Sequence, residues 1–494
     1  MKALVSEKTD FSIGQPGLWI GIVAFVLMEA MPLPDGMSPE GQHVLAITVL
    51  MAIWWITEVM PLGVTALIPI VAFPILGVTS AANAGQAFGN SVNFLLLGGF
   101  FIGAALARWQ LHTRIALVII NKLGSTTQAL MLGFMLASFL LSMWISNVAS
   151  TMMMVPIALS VIDRVFKYNQ EEELKSKFSI GLMLAIAYSC NIGGLSTLIG
   201  TPSNAILAGI VEEIFGWQIT FIDWFVLAFP LALILLATNW FFLTKIAYKV
   251  DLGKNNKGKA VIEEELEKLG EMKKPERGVL IILCATATCW VLRGMIDIEW
   301  VSRINDATIA VFFGSLLFVL PSGNKKGEKL LDWPSALKIP WGVLLLMGGG
   351  FTLAAAFVST GLDLWVASQL EVLGNTPIFL IVLAVVVLTV FLTELTSNSA
   401  TATIMVPLLA GMAAAMSIHP YALIMAAGFS APLAFMLPMA TPANSIVFSC
   451  EYLKVKHMAR TGLVLNIAGI VLVPLLVLYF LPLVWDIELL NFPG

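Results

Sequence analysis

Charge is what this sequence has least of. Asp, Glu, Lys and Arg together make up 12% of its 494 residues, where a soluble domain carries about 25%. No water-facing surface can be assembled from so few charged groups. Cysteine and histidine are equally sparse, at four each. Cys190, Cys284, Cys289 and Cys450 form no CxxC pair, and His43, His112, His419 and His457 form no HExxH cluster. Both absences argue against a redox or transition-metal centre. An intramembrane hydrolase also lacks its parts. His419 sits near a predicted membrane edge, away from any candidate nucleophile, and no pair of mid-span aspartates occurs.

What is present is apolar. Hydrophobic residues make up 59% of the chain and its mean hydropathy is +0.91. The 39 glycines and 23 prolines in such a chain imply helices that are broken or closely packed. The fold class is therefore an all-α polytopic membrane protein. Stretches of about 20 apolar residues predict eleven transmembrane helices, near 17–34, 44–60, 62–78, 91–107, 180–206, 222–244, 278–295, 306–321, 340–360, 421–448 and 462–485. Two longer stretches, 126–163 and 376–415, have polar centres at Ser146-Asn147 and Ser397-Asn398. They read as re-entrant hairpins that enter and leave on one side. The first span has no small-residue cleavage site and reads as an uncleaved helix.

With the N-terminus inside, segments 1–16, 108–125, 164–179, 245–277, 322–339 and 449–461 are cytosolic and hold 25 of the 27 Lys and Arg. That bias is the positive-inside pattern, and it puts the C-terminus outside. Segment 245–277 carries nine basic residues, but Glu263, Glu264, Glu265 and Glu267 offset them. It reads as a cytosolic linker between two halves, with no nucleic-acid partner.

The halves repeat. Leu95 to Phe100 resembles the run Leu344 to Phe351, Ser146-Asn147 resembles Ser397-Asn398, and Val155-Pro156 resembles Val406-Pro407, all at a spacing of 251 residues measured at Phe100, Ser146 and Pro156. Thr201-Pro202-Ser203-Asn204 resembles Thr441-Pro442-Ala443-Asn444 at a spacing of 240. The organisation read from this is: N-terminal scaffold helices 1–90, a first repeat 91–244 with an inner hairpin and broken helix 180–206, the linker 245–277, second-half scaffold helices 278–339, a second repeat 340–461 with an outer hairpin and broken helix 421–448, and a last helix and external tail 462–494. Hairpins on opposite sides make the repeats inverted, the mark of secondary transporters.

Each repeat supplies a Ser-Asn tip and a Thr-Pro-x-Asn break. Ser, Thr and Asn are favoured N-caps, and Pro is tolerated at the first helical position. Four half-helix N-termini would thus converge, each with free N–H groups and a partial positive charge. That is an anion site. No Lys or Arg lies between Lys122 and Arg164, between Lys177 and Lys245, or between Lys338 and Lys454. A doubly charged anion held there needs compensating charge. Carbonyls exposed beside Ser142, Ser146, Thr393, Thr396 and Asn398 are hard oxygen ligands suited to sodium, so sodium coupling is expected.

On these motifs, and on Trp54-Trp55-Ile56-Thr57-Glu58-Val59-Met60-Pro61-Leu62, nearly the whole chain resembles the divalent anion/sodium symporter family, in particular its bacterial INDY-type dicarboxylate transporters. The resemblance implies a homodimer in a bacterial inner membrane and a transport domain that moves as an elevator against a scaffold. It implies substrate contacts at Ser146, Asn147, Val148, Ser397, Asn398, Ser399, Thr201, Pro202, Thr441 and Pro442. It implies one sodium among Ser142, Ser146, Asn147 and Gly200 and another among Thr393, Thr396, Asn398 and Ala440, with no organic cofactor. The family tip reads Ser-Asn-Thr. Here Val148 replaces the first Thr, and a lost donor is worth on the order of 1 kcal/mol. The reading is sodium-coupled symport of C4-dicarboxylates such as succinate, malate and fumarate. Sodium-independent exchange and symport of sulfate, a sulfonate or a tricarboxylate stay open. Glu58 and Glu394 are predicted intramembrane carboxylates placed off the substrate.

Overall fold

The computed structural model describes residues 16–123, 126–166, 172–250, 256–293, 296, 303–369 and 376–490. All named elements within them are helical, and nine helices are long and apolar enough to cross a membrane. The hairpins fall where the sequence puts them. The first has arms Thr127–Ser142 and Asn147–Phe166, and the second has arms Ile378–Leu395 and Asn398–Ala415. Both broken helices are broken. Glu172–Leu195 resumes as Pro202–Phe215, and Tyr421–Ser430 resumes as Pro442–Phe448.

The repeat extends into the element boundaries. Helices begin at Leu111 and Leu362, at Thr127 and Ile378, and at Asn147 and Asn398, each pair 251 residues apart. It extends into packing too. Gly98, on Ser91–Arg108, lies directly against the backbone of Ala310 on Asp306–Leu316. Its counterpart Gly349, on Trp341–Ser359, lies against the backbone of Ala66, just after Leu62–Thr65. A Cβ at either position would collide with main chain, and such close approaches are how helices gain contact in lipid.

Two expectations are refined. The stretch 62–78 is two short helices, Leu62–Thr65 and Ile68–Ile75, because Pro69, at the start of the second, has no amide to continue the ladder. The stretch 245–277 contains the helix Asn256–Leu269, whose Gly258 packs on Leu130 and Val165 of the first hairpin. That helix ends at Gly270 in the left-handed region (φ 63), and Arg114 binds the carbonyls it leaves free. The guanidinium donates to the carbonyls of Gly270 at 2.7 Å and of Leu269 and Glu271 at 3.3 Å, and its Nε to Glu276 Oε2 at 2.5 Å. Arg114 and Glu276 are both buried. Removing one member of such a pair strands the other, at about 3–5 kcal/mol. Arg114→Ala is therefore expected to lower the melting temperature of the detergent-solubilised protein clearly, whereas the exposed-pair variant Lys177→Ala is expected to leave it near the wild-type value.

Candidate functional site

The two hairpin tips are built alike. Ser146 Oγ accepts the amide of Ala149 at 3.3 Å, and Ser397 Oγ that of Ala400 at 3.1 Å, so both serines cap the returning helices as predicted. A hydroxyl on the outgoing arm then orients each asparagine. Ser142 donates to Asn147 Oδ1 at 2.5 Å. Thr393 shares its hydrogen between Asn398 Oδ1 at 2.8 Å and the Ala431 carbonyl at 2.6 Å.

The breaks are also built alike. Asn204 Nδ2 reaches back to the carbonyls of Gly194 (3.0 Å), Leu195 (3.2 Å) and Thr197 (2.7 Å). Asn444 Nδ2 reaches those of Ala434 (3.2 Å) and Leu437 (3.1 Å), the residues 240 positions after Gly194 and Thr197. The asparagines of the Thr-Pro-x-Asn motifs thus hold carbonyls that the interrupted helices leave free. Both half-helices start at their prolines, yet only one threonine side chain caps as expected. Thr441 Oγ1 accepts the Asn444 amide at 3.2 Å, while Thr201 Oγ1 meets only Ser203 Oγ, at 3.5 Å.

Tips and breaks are tied together by residues that no motif marks. Asn191 Oδ1 accepts from Asn147 Nδ2 at 3.3 Å, and Asn191 Nδ2 faces Thr441 Oγ1 (3.1 Å) and Asn444 Oδ1 (3.2 Å). One amide joins the first tip to the second break. Thr197 Oγ1 donates to the Met143 carbonyl at 2.7 Å, locking the first break to the first tip. At the second, Glu394 does this work. Its carboxylate accepts the amides of Phe435 (2.7 Å), Met436 (2.8 Å) and Leu437 (3.0 Å) and Asn466 Nδ2 at 2.8 Å. Glu394 is therefore a clasp for freed backbone N–H groups. Glu58 lies apart from this network, exposed, with φ 47 at the end of helix Pro39–Thr57.

Of the expected sodium ligands, Ser142 and Asn147 are in contact, and Gly194, between Gly200 and Asn147, packs on both. Thr393 and Asn398 are in contact, but the Thr396 hydroxyl turns to Thr401 Oγ1 at 2.5 Å and the Leu392 carbonyl at 3.1 Å. The Thr396 hydroxyl is thus already engaged, and Ala440 offers a cation only its main-chain oxygen. Ser142, Gly200, Thr201, Thr393, Ala440 and Thr441 are buried. Ser146 and Pro442 are exposed, and Asn147, Val148, Pro202, Ser397, Asn398 and Ser399 are half-buried. Buried oxygen donors thus lie beside more accessible helix N-termini and amides.

The described elements are helical and the helix breaks meet in one polar network, and the family match and relatives make the chain a membrane transporter, not an enzyme. The chain belongs to the divalent anion/sodium symporter family: the family model described as the sodium:sulfate symporter transmembrane region matches residues 16–486. It is 40% identical over 489 residues to the sodium-dependent dicarboxylate transporter SdcS of Staphylococcus saprophyticus, covering 98% of this chain and 94% of that one. It is 39% identical over 490 residues to SdcS of Staphylococcus aureus, with the same coverage of 98% and 94%. Two solved structures share the fold at low identity. They are MtrF of Neisseria gonorrhoeae (TM-score 0.58, 13% identity, 93% of this chain and 94% of that one) and the YdaH transporter of Alcanivorax borkumensis (TM-score 0.57, 16% identity, 87% and 98%).

The clasp gives a direct test. Glu394→Gln turns an NH2 towards N–H groups that need an acceptor, at a cost of about 1–3 kcal/mol. A lowered melting temperature is expected in detergent. An unchanged melt would mean that the three amides do not depend on the carboxylate.

Proposed function

We propose that the chain is a sodium-coupled symporter that carries C4-dicarboxylates of the succinate, malate and fumarate class into the cell. The observation that carries the reading is the charge balance of the polar network. Its donors are hydroxyls, amides and main-chain N–H groups, and its one carboxylate, Glu394, is consumed by the second break. An anion of charge −2 entering such a region needs positive charge, and the site has oxygen donors to hold it. The SdcS relatives are named as sodium-dependent dicarboxylate transporters, which supports the same choice.

In this reading the half-helix N-termini at Asn147, Asn398, Pro202 and Pro442 face the substrate, with Ser146, Ser397 and Ser399 on the rim. Two or more sodium ions occupy the floor, one by Ser142, Ser146, Asn147 and Gly200, the other by Thr393, Thr396, Asn398 and Ala440. The ions order the tips and supply attraction for the carboxylates. Hairpins and broken helices move as one body against the scaffold helices, in a homodimer of the bacterial inner membrane, with the N-terminus inside and the C-terminus outside. Val148 narrows the substrate. Where the second tip offers the Ser399 hydroxyl, the first offers an isopropyl group, so one end of the anion loses a hydrogen bond.

Succinate uptake into proteoliposomes, with and without an inward sodium gradient, tests this. The gradient is expected to drive accumulation, and Asn147→Ala and Asn398→Ala are each expected to cut uptake by about tenfold or more, since each removes a half-buried amide whose hydrogen bonds are worth ~1–3 kcal/mol. Equal uptake without sodium would identify an exchanger. Normal uptake by both variants would overturn the site assignment.

A further inference from the structure

The helices fall into two groups, each held by its own contacts. Ser91–Arg108, Lys274–Arg293 and Asp306–Leu316 go together: Gly98 lies on the backbone of Ala310, and Trp290 Nε1 donates to the Asp306 carbonyl at 3.0 Å. Trp341–Ser359 joins the N-terminal helices, with Thr352 Oγ1 donating to the Ala84 carbonyl at 2.9 Å. Helix Phe221–Phe241 goes instead with the hairpins and breaks. Trp224 Nε1 donates to the Leu195 carbonyl at 2.9 Å, and Phe229 packs on Phe139 of the first hairpin.

Part of the seam between the groups is smooth. Gly209 lies against the Phe351 ring, and Gly350 against the Thr403 methyl. Neither contact has a hydrogen bond to break when the surfaces slide. At one end the seam is polar. Asp306 Oδ2 accepts the Phe221 amide at 2.6 Å, one of the donors that the start of helix Phe221–Phe241 leaves free. The other Asp306 oxygen is held by Arg293 at 3.0 Å, and the Phe221 ring stacks on Trp290 at 4.6 Å. Phe221, Trp290 and Asp306 are all buried. A second link lies nearby, where Ser91 Oγ donates to Glu212 Oε2 at 2.8 Å. A cavity of about 30 Å³ adjoins both links, lined by Ala208 and Glu212 from one group and by Ser91 and Asp306 from the other. That volume admits a water molecule or two, and water is what must replace both links when the groups part.

We infer that the two links form a lock: Asp306 on the N-terminus of helix Phe221–Phe241, together with Glu212 on Ser91, holds this end of the seam shut in the conformation described. The inference rests on the reading in which hairpins and broken helices move against the scaffold, and it names what restrains that movement. Ser91 starts a helix whose far end, Arg108, falls in a segment predicted to be cytosolic, which puts the lock on the external face. A buried carboxylate on a helix N-terminus is a directional, charge-assisted contact, so the lock releases when the groups separate and does not stretch with them. Its strength sets how often the binding region turns outward without altering any residue of that region.

A cysteine placed in the cavity reads the seam. Ala208, 2% exposed, is replaced in the full chain (Ala208→Cys) and labelled in intact cells with a membrane-impermeant maleimide, the chain without this substitution giving the background from native cysteines. Adding Ser91→Ala or, separately, Asp306→Asn is expected to raise the labelling rate several-fold in the absence of substrate. Ser91→Ala removes one donor and strands no buried charge, so it carries the test if Asp306→Asn does not fold. Labelling that responds to added sodium and succinate but is the same with and without the lock substitutions would overturn the lock. Labelling that responds neither to these ligands nor to the substitutions would instead overturn the moving-body reading beneath it.

Discussion

A helix interrupted inside a membrane frees main-chain N–H and C=O groups that have no water to turn to, and the structure is organised around satisfying them. Asn204 and Asn444 gather the carbonyls of the two breaks. Glu394 gathers three amides of the second. The hairpin tips are where they are because they carry these partners: Met143 and Glu394 meet the breaks, and Ser142 and Thr393 orient the adjacent asparagines. Binding geometry follows from backbone repair. In the proposed reading, the N–H groups left over at the helix starts hold the substrate.

The same constraint explains why the region contains no cationic side chain. A fixed Lys or Arg would hold the anion permanently and would have to be compensated after release, in a medium where stranded charge is expensive. Mobile cations avoid this. In the proposed reading they arrive with the substrate, and the site returns to neutral oxygens when both depart. Sodium dependence is then a property of the dielectric as much as of any ligand set.

Much of this was legible in the sequence because it is local. The hairpin arms Thr127–Phe166 and Ile378–Ala415 lie within a few residues of the predicted 126–163 and 376–415, since a Ser-Asn turn in an apolar run has few other meanings. Proline announced both half-helix starts. The spacing of 251 residues predicted one architecture for both halves, and element boundaries and glycine contacts keep it. What escaped was non-local. Asn191 is a single amide in an apolar stretch, and its partners lie 250 and 253 residues away. Glu394 was legible only as an intramembrane carboxylate off the substrate, because amides in an unwound segment leave no side-chain signature. The helix Asn256–Leu269 was hidden by its charge, which resembles that of any solvated linker until its apolar face meets the hairpin.

Arg114 has a consequence for how the protein is made. Its partners are the carbonyls of residues 269–271 and the Glu276 carboxylate, all encoded more than 150 residues later. During synthesis the first hairpin and broken helix leave the ribosome while this arginine still lacks its carboxylate. The Arg114 contacts of the first half are therefore completed only once the start of the second half has emerged. A latch on the early half of the chain is thus finished by Glu276, in the opening turn of helix Lys274–Arg293.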